Sequence, residues 1–207
     1  MCVCGPLTLA SLAQYIAFGT NTGAVSITAV DKLHLKPECE VWDAAGDETA
    51  AVTSVVFSPD NTKLAVRANN GCVSVYKFGR NDIGVVTLKL ERRILNLETN
   101  YEMSNVAFSP DSSLVCVGTS VMPKSKEMSM LKFYKAVVCS DEKEPAAASV
   151  AVEEGVSCVC VKWPVKLKQI FVALSNGECR YERHTSTTLV CHIRLPYPCE
   201  RRAPRPV

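Results

Sequence analysis

Apolar and polar residues alternate with a period of two through most of the chain. Val52, Ser54 and Val56 face one way against Thr53, Val55 and Phe57, and the runs Lys63-Leu64-Ala65-Val66 and Cys72-Val73-Ser74-Val75-Tyr76 follow. That period predicts strands. Each group of three is punctuated by turn chemistry. In Phe57-Ser58-Pro59-Asp60 the proline presets φ and the aspartate bonds the backbone beyond it. In Asn69-Asn70-Gly71 the residues tolerate the positive φ that tight hairpins require.

The group repeats. Phe57-Ser58-Pro59-Asp60 recurs as Phe108-Ser109-Pro110-Asp111, a spacing of 51 residues, and Cys158-Val159-Cys160-Val161-Lys162-Trp163-Pro164 is a degenerate third copy with Trp163 in the phenylalanine position. Hairpin glycines keep step: Gly71 lies 14 residues after Phe57, Gly177 lies 14 after Trp163, and Gly23 closes the Asn21-Thr22-Gly23 turn of a leading unit. A period near 50 residues marks an array of like units. Antiparallel units of this length predict propeller blades, all-β sheets that bury their faces on one another around a channel. The blades run over about 9–30 (an incomplete first blade), 52–87, 104–135 and 157–182, so that 1–182 is a partial ring and 183–207 a basic, Pro-containing tail. Phe57, Phe108 and Trp163 should be equivalent, each ending a first strand and packing between neighbouring sheets.

Composition excludes several classes. With 47% hydrophobic residues, 21% charged residues and a net charge of +2 in 207 residues, the chain is neither a disordered tail nor a strongly basic nucleic-acid binder. Its uncharged opening stretch is broken by Gly5, Pro6, Gly19 and Gly23, so no membrane span is expected, and no Lys or Arg precedes Leu7–Ala13 as a secretory signal would require. Eleven cysteines are an odd number lying mostly in apolar runs, which points to reduced thiols in an intracellular setting. Cys158 and Cys160 alternate along one strand and should share a face. With Cys179, Cys191 and His192 they fit no zinc spacing and read as buried strand thiols, while Cys2 and Cys4 lack a second ligand pair. No nucleophile elbow, phosphate loop, His-Glu-x-x-His helix or dinucleotide fingerprint is present, and His34, His184 and His192 fall in loops or near strand ends, so neither an enzyme nor a cofactor is expected.

Some residues carry a closer resemblance. The segment from Phe57 to Tyr76 resembles a WD-repeat blade. Asn96-Leu97-Glu98-Thr99-Asn100-Tyr101, Val106 to Val115, Val117-Gly118-Thr119-Ser120-Val121, Lys132-Phe133-Tyr134 and Val161 to Ile170 together resemble the gastrulation-defective type of WD-repeat protein over roughly Tyr15 to Tyr181. The resemblance implies a nuclear, non-enzymatic scaffold linked to chromatin and the DNA-damage response through a cullin-based ubiquitin ligase, with spliceosome association as a further implication. It also implies further blades on the N-terminal side and a charged C-terminal tail, so the chain reads as truncated at both ends. Ligase-adaptor propellers close a third strand with Trp-Asp-x-Arg. Here Tyr76-Lys77-Phe78-Gly79 stands there and Arg80 comes one place late, while the literal Trp42-Asp43 lies in a connection. The buried His, Ser/Thr, Asp and Trp network of such blades has no histidine here, so the blades should rest on apolar packing and ladder bonds.

Partner contacts fall on Arg80, Lys89, Arg92 and Arg93, with Arg201, Arg202 and Arg205 in the tail; the acidic loop 141–148 reads as a surface insertion. The first reading is protein docking through blade loops and the propeller rim. The alternative is a nucleic-acid-binding or spliceosome-associated component using the same cations. An open arc should leave its end sheets bare, with Tyr15, Ile16, Phe18, Val25 and Ile27 exposed at one end and Ile170, Phe171, Val172 and Leu174 at the other, making the isolated chain marginally stable and prone to associate.

Overall fold

In a computed structural model the described residues are 8–12, 14–32, 37–42, 50–94, 106–119, 121, 126–137, 146–167 and 169–183, with 8–12 and 181–183 described in backbone path only. They form four antiparallel sheets whose strands neighbour one another in chain order. Sheet 1 holds β1 (Thr8–Leu12), β2 (Tyr15–Gly19), β3 (Val25–Ala29) and β4 (Cys39–Val41); sheet 2 holds β5 (Val52–Phe57), β6 (Lys63–Ala68), β7 (Val73–Arg80) and β8 (Val86–Ile94). Sheet 3 holds β9 (Val106–Phe108), β10 (Leu114–Gly118), β11 (Met128–Lys135) and β12 (Ala148–Glu154), and sheet 4 holds β13 (Cys158–Lys162), β14 (Gln169–Leu174) and β15 (Cys179–Arg183). The first strands of successive sheets touch, β1 with β5, β5 with β9 and β9 with β13, which sets them innermost and makes the four sheets consecutive blades of an arc.

Three features differ from the sequence pattern. Blade 1, read as incomplete over 9–30, gains a fourth strand in β4, because Cys39 pairs with Ile27 after a turn at Val30–Lys32. Lys89, Arg92 and Arg93, read as a connection, lie in β8, the outer strand of blade 2. The two thiols of β13 do not share a face: Cys158 pairs with Leu174 and Cys160 with Ala173, so a bulge spends two residues of β13 against one of β14 and reverses the alternation. The same bulge stands in β5, where Val52 pairs with Ala68 and Ser54 with Arg67. Cys158 and Val52 occupy the same place in their blades, each donating its amide to a threonine carbonyl of the preceding blade: Val52 to Thr20 at 2.9 Å and Cys158 to Thr119 at 3.1 Å.

Apolar residues of adjacent sheets form the core between blades. Tyr15, Val25 and Ile27 pack with Val55, Leu64 and Tyr76 between blades 1 and 2. Val106, Phe108, Val115 and Val117 pack with Ala65, Val73 and Val75 between blades 2 and 3, and Ile170, Val172 and Leu174 pack with Leu131, Phe133 and Val152 between blades 3 and 4. The expectation that the end sheets lie bare therefore fails for Tyr15, Val25, Ile27, Ile170, Val172 and Leu174, all buried because one face of each end sheet meets its neighbour. Ile16, Phe18 and Phe171, on the other faces, are half-buried.

Candidate interaction face

The repeated Ser-Pro-Asp turns have one geometry. The Asp60 carboxylate accepts the Thr62 amide at 3.0 Å and the Ser58 hydroxyl, while the Lys63 amide donates back to Ser58 Oγ at 2.9 Å. Asp111 accepts the Ser113 amide at 3.1 Å and the Ser109 hydroxyl, and the Leu114 amide donates to Ser109 Oγ at 2.9 Å. Pro59 and Pro110 enter these turns, and the residue after each aspartate takes a left-handed φ, 62° at Asn61 and 60° at Ser112. Burial pulls the Asp60 carboxyl upward, but the bonds from Ser58 and Thr62 and the neighbouring Lys63 outweigh it and bring it down to about 2. The Ser109 bond, with those of Ser113, likewise holds the Asp111 carboxyl below the usual range against a smaller effect of burial. Both turns are anionic at neutral pH. At the opposite strand ends Gly71 and Gly177 take φ of 82° and 86° in their hairpins.

Phe57 ends β5 and Phe108 ends β9, whereas Trp163 stands one residue past β13. Each turns toward the preceding blade. Phe108 and Trp163 are buried and Phe57 is half-buried, and edge-on ring contacts join Phe57 to Phe78 and Trp163 to Phe133.

Because consecutive strands are antiparallel neighbours, the first-to-second connections of the four blades and the third-to-fourth connections of blades 1 to 3 emerge on one face of the arc. Most of the exposed large apolar residues gather on it: Val30, Ile83, Val85, Val137, Val165 and Leu167. Two clefts open there. One of about 420 Å³ lies between blades 1 and 2, lined by Tyr15, Lys32, Glu38 and Arg80 among others. The other, about 590 Å³, lies between blades 2 and 3, lined by Lys63, Asp111–Leu114 and Lys135–Val137.

The four partner-contact cations separate here. Arg80 is exposed at the end of β7, its guanidinium bonded to the Tyr15 hydroxyl and 5.5 Å from that ring's centroid. Lys89 is exposed on β8 and Arg93 half-buried. Arg92 turns inward. It is 8% exposed, donates to the Lys135 carbonyl at 2.6 Å and lies over the Tyr134 ring, so it ties blade 2 to blade 3 and is no surface contact. Arg201, Arg202, Arg205 and residues 141–145 lie outside the described residues, as do His34, His184, His192, Cys2, Cys4 and Cys191.

Sequence reasoning missed two further arginine ties. Arg67, the largest fully buried side chain among the described residues, reaches from β6 to the Gly118 carbonyl at 3.3 Å; burial lowers its pKa from the usual guanidinium range to about 10, with Tyr134 opposing the fall. Arg180 of β15 donates to the Val152 carbonyl at 2.8 Å and pairs with Glu153 of blade 3. Packing thus has polar bolts that the missing histidine network did not foretell. The only signal was a lone arginine in an apolar strand. Among the described residues no three His, Cys, Asp or Glu side chains gather as metal ligands, and no helix is long and apolar enough to cross a membrane.

The same arc occurs in solved propellers. The chain superposes on the Myceliophteria thermophila Cps50 (Swd1) β-propeller domain with a TM-score of 0.62 at 12% identity, covering 83% of this chain and 48% of that one. A chain of the mitotic checkpoint complex gives 0.66 at 16% identity, covering 92% and 53%. Its fold is that of WD-repeat β-propeller blades. Among curated relatives the propeller is 27% identical over 176 residues to Gastrulation defective protein 1 homolog of Drosophila melanogaster and 29% identical over 168 residues to WD repeat-containing protein 70 of Xenopus laevis, covering 84% and 79% of this chain. The chain spans about a quarter of the length of these relatives. No family model matches it.

Proposed function

We propose that this WD-repeat arc is a non-enzymatic docking scaffold of a nuclear, chromatin-associated assembly, and that its loop face around Arg80 engages the adaptor of a cullin-based ubiquitin ligase. The observation that carries the docking reading is Ile83, 83% exposed at the tip of the β7–β8 hairpin beside Val85 and Arg80. An isoleucine presented to water on a hairpin tip gains nothing for the fold and is the kind of anchor a partner pocket takes up. The nuclear and ligase parts rest on the likeness to the gastrulation-defective relatives. Interferometry with the purified adaptor tests it: binding should be tight for the wild type and at least about tenfold weaker for Arg80→Ala and Ile83→Asp. A wild-type chain that does not bind, or an exclusively cytoplasmic tagged chain, refutes the respective part.

A further inference from the structure

Strand register in blade 2 places three lysines side by side. Lys63 of β6 pairs with Lys77 of β7, and Lys77 pairs with Lys89 of β8. Residues directly opposite in neighbouring strands share a face, so all three ammonium groups stand on one side of the sheet in a row roughly 10 Å long. The side is known. Ala65 and Arg67 alternate with Lys63 along β6, and both meet blade 3, Ala65 in the apolar core there and Arg67 at the Gly118 carbonyl. The row therefore borders the cleft between blades 2 and 3, which Lys63 itself lines.

Like charges directly opposite one another destabilise a sheet. Only Lys63 is partly compensated, its ammonium lying 3.5 Å from an Asp60 oxygen. Lys77 and Lys89 are exposed and form no ion pair among the described residues. The cleft is also preorganised. Arg92 fastens blade 2 to the Lys135 wall, Arg67 ties the same two blades further along their strands, and the Asp60 amide donates to Ser112 Oγ across the junction at 3.2 Å. Its far wall carries Leu114, Ala136 and the exposed Val137 beside exposed Lys135, and the Asp111 carboxylate on that wall is taken up by Ser109 and Ser113.

We infer that the Lys63–Lys77–Lys89 row and this cleft form a docking groove for an extended acidic segment of a partner protein, one that alternates carboxylates with small apolar side chains. Side chains on one face of an extended segment repeat about every 7 Å, so two carboxylates can span the row while an intervening apolar residue turns to Val137. Single-stranded nucleic acid would need exposed aromatic rings for its bases. No aromatic residue lines the cleft among the described residues, and Tyr134, next to Lys135 on β11, is covered by Arg92. The inference rests on the docking reading only in taking a protein as occupant, and Arg80 plays no part in it.

The test is fluorescence anisotropy of the whole chain with four labelled probes: alternating Glu-Val, Lys-Val and Glu-Gly peptides and a single-stranded oligonucleotide. Glu-Val should bind, about tenfold tighter than Glu-Gly, and weaken as salt is raised, while Lys-Val should not bind. Lys77→Glu with Lys89→Glu should weaken Glu-Val binding about tenfold. Lys126→Glu, on an exposed residue preceding β11 at the other face of the arc, and Arg80→Ala should leave it unchanged. Retention with Arg80→Ala separates this groove from the ligase contact. Lys77→Gln with Lys89→Gln, which removes charge without reversing it, should give a smaller loss and serves should the reversal unfold the sheet. Equal binding by the reversed variant, no Glu-Val binding at low salt, or tightest binding by the oligonucleotide overturns the inference.

Discussion

Truncating the three repeat aromatics in turn should give unequal losses of stability. Phe108 is 3% exposed, held between blades 2 and 3 by Ala65, Val73, Val75, Val115 and Val117. Removing its ring forfeits the full transfer energy and leaves a cavity between two sheets fastened by Arg67 and Arg92, so little collapse can fill it. Phe108→Ala should cost about 3 to 5 kcal/mol. Trp163, 8% exposed and edge-on to Phe133, belongs in the same range. Phe57 is different. Part of its surface already meets water at the end of β5, and its partner Phe78 is only partly buried too, so Phe57→Ala should cost less, about 1 to 2 kcal/mol. Urea unfolding followed by far-ultraviolet circular dichroism measures all three, with equal m-values as the condition for comparing midpoints. Equal losses for Phe57 and Phe108, or a loss below about 1 kcal/mol for Phe108, would refute the placement of Phe108 in the inter-blade core.

Acid should loosen the Ser-Pro-Asp turns in a defined window: the Asp60 carboxyl sits lower folded, at about 2, than unfolded, at about 3.9, so its contribution is complete above pH 4 and is lost as pH falls toward 2. Asp60→Asn should flatten that part of the stability profile, and an unchanged profile counts against the turn bonds. Thiol labelling should run fastest at exposed Cys179, slower at half-buried Cys39, whose thiol burial pushes up, and slowest at buried Cys72, Cys116 and Cys158; early modification of Cys158 would contradict its place between blades 3 and 4. Gly177→Ala should cost about 1 kcal/mol through its φ of 86° alone, since a Cβ there meets nothing within 4 Å; a neutral melting point would show that the hairpin had changed type.

Residues close together in the chain made most of the fold legible. Two-residue alternation specifies a strand locally, a Ser-Pro-Asp or Asn-Gly turn specifies a reversal locally, and their recurrence at 51 residues is enough to imply blades, because a lone three-stranded unit cannot bury both faces. What alternation could not convey was where it breaks. A bulge costs one residue and is set by hydrogen bonds across the pair, so the separation of Cys158 from Cys160 onto opposite faces appears only once β13 is registered against β14. Charge was the least legible. Lys89, Arg92 and Arg93 look alike in the sequence, yet β8 pairing sends Arg92 into the next blade and sets Lys89 in line with Lys77 and Lys63, residues 12 and 26 positions away. Arg67, in an apolar run, gave no hint of the carbonyl it meets 51 residues on. Local backbone chemistry decides strands and turns, whereas the position of a long charged side chain depends on which sheet packs against it, and only the assembled arc supplies that neighbour.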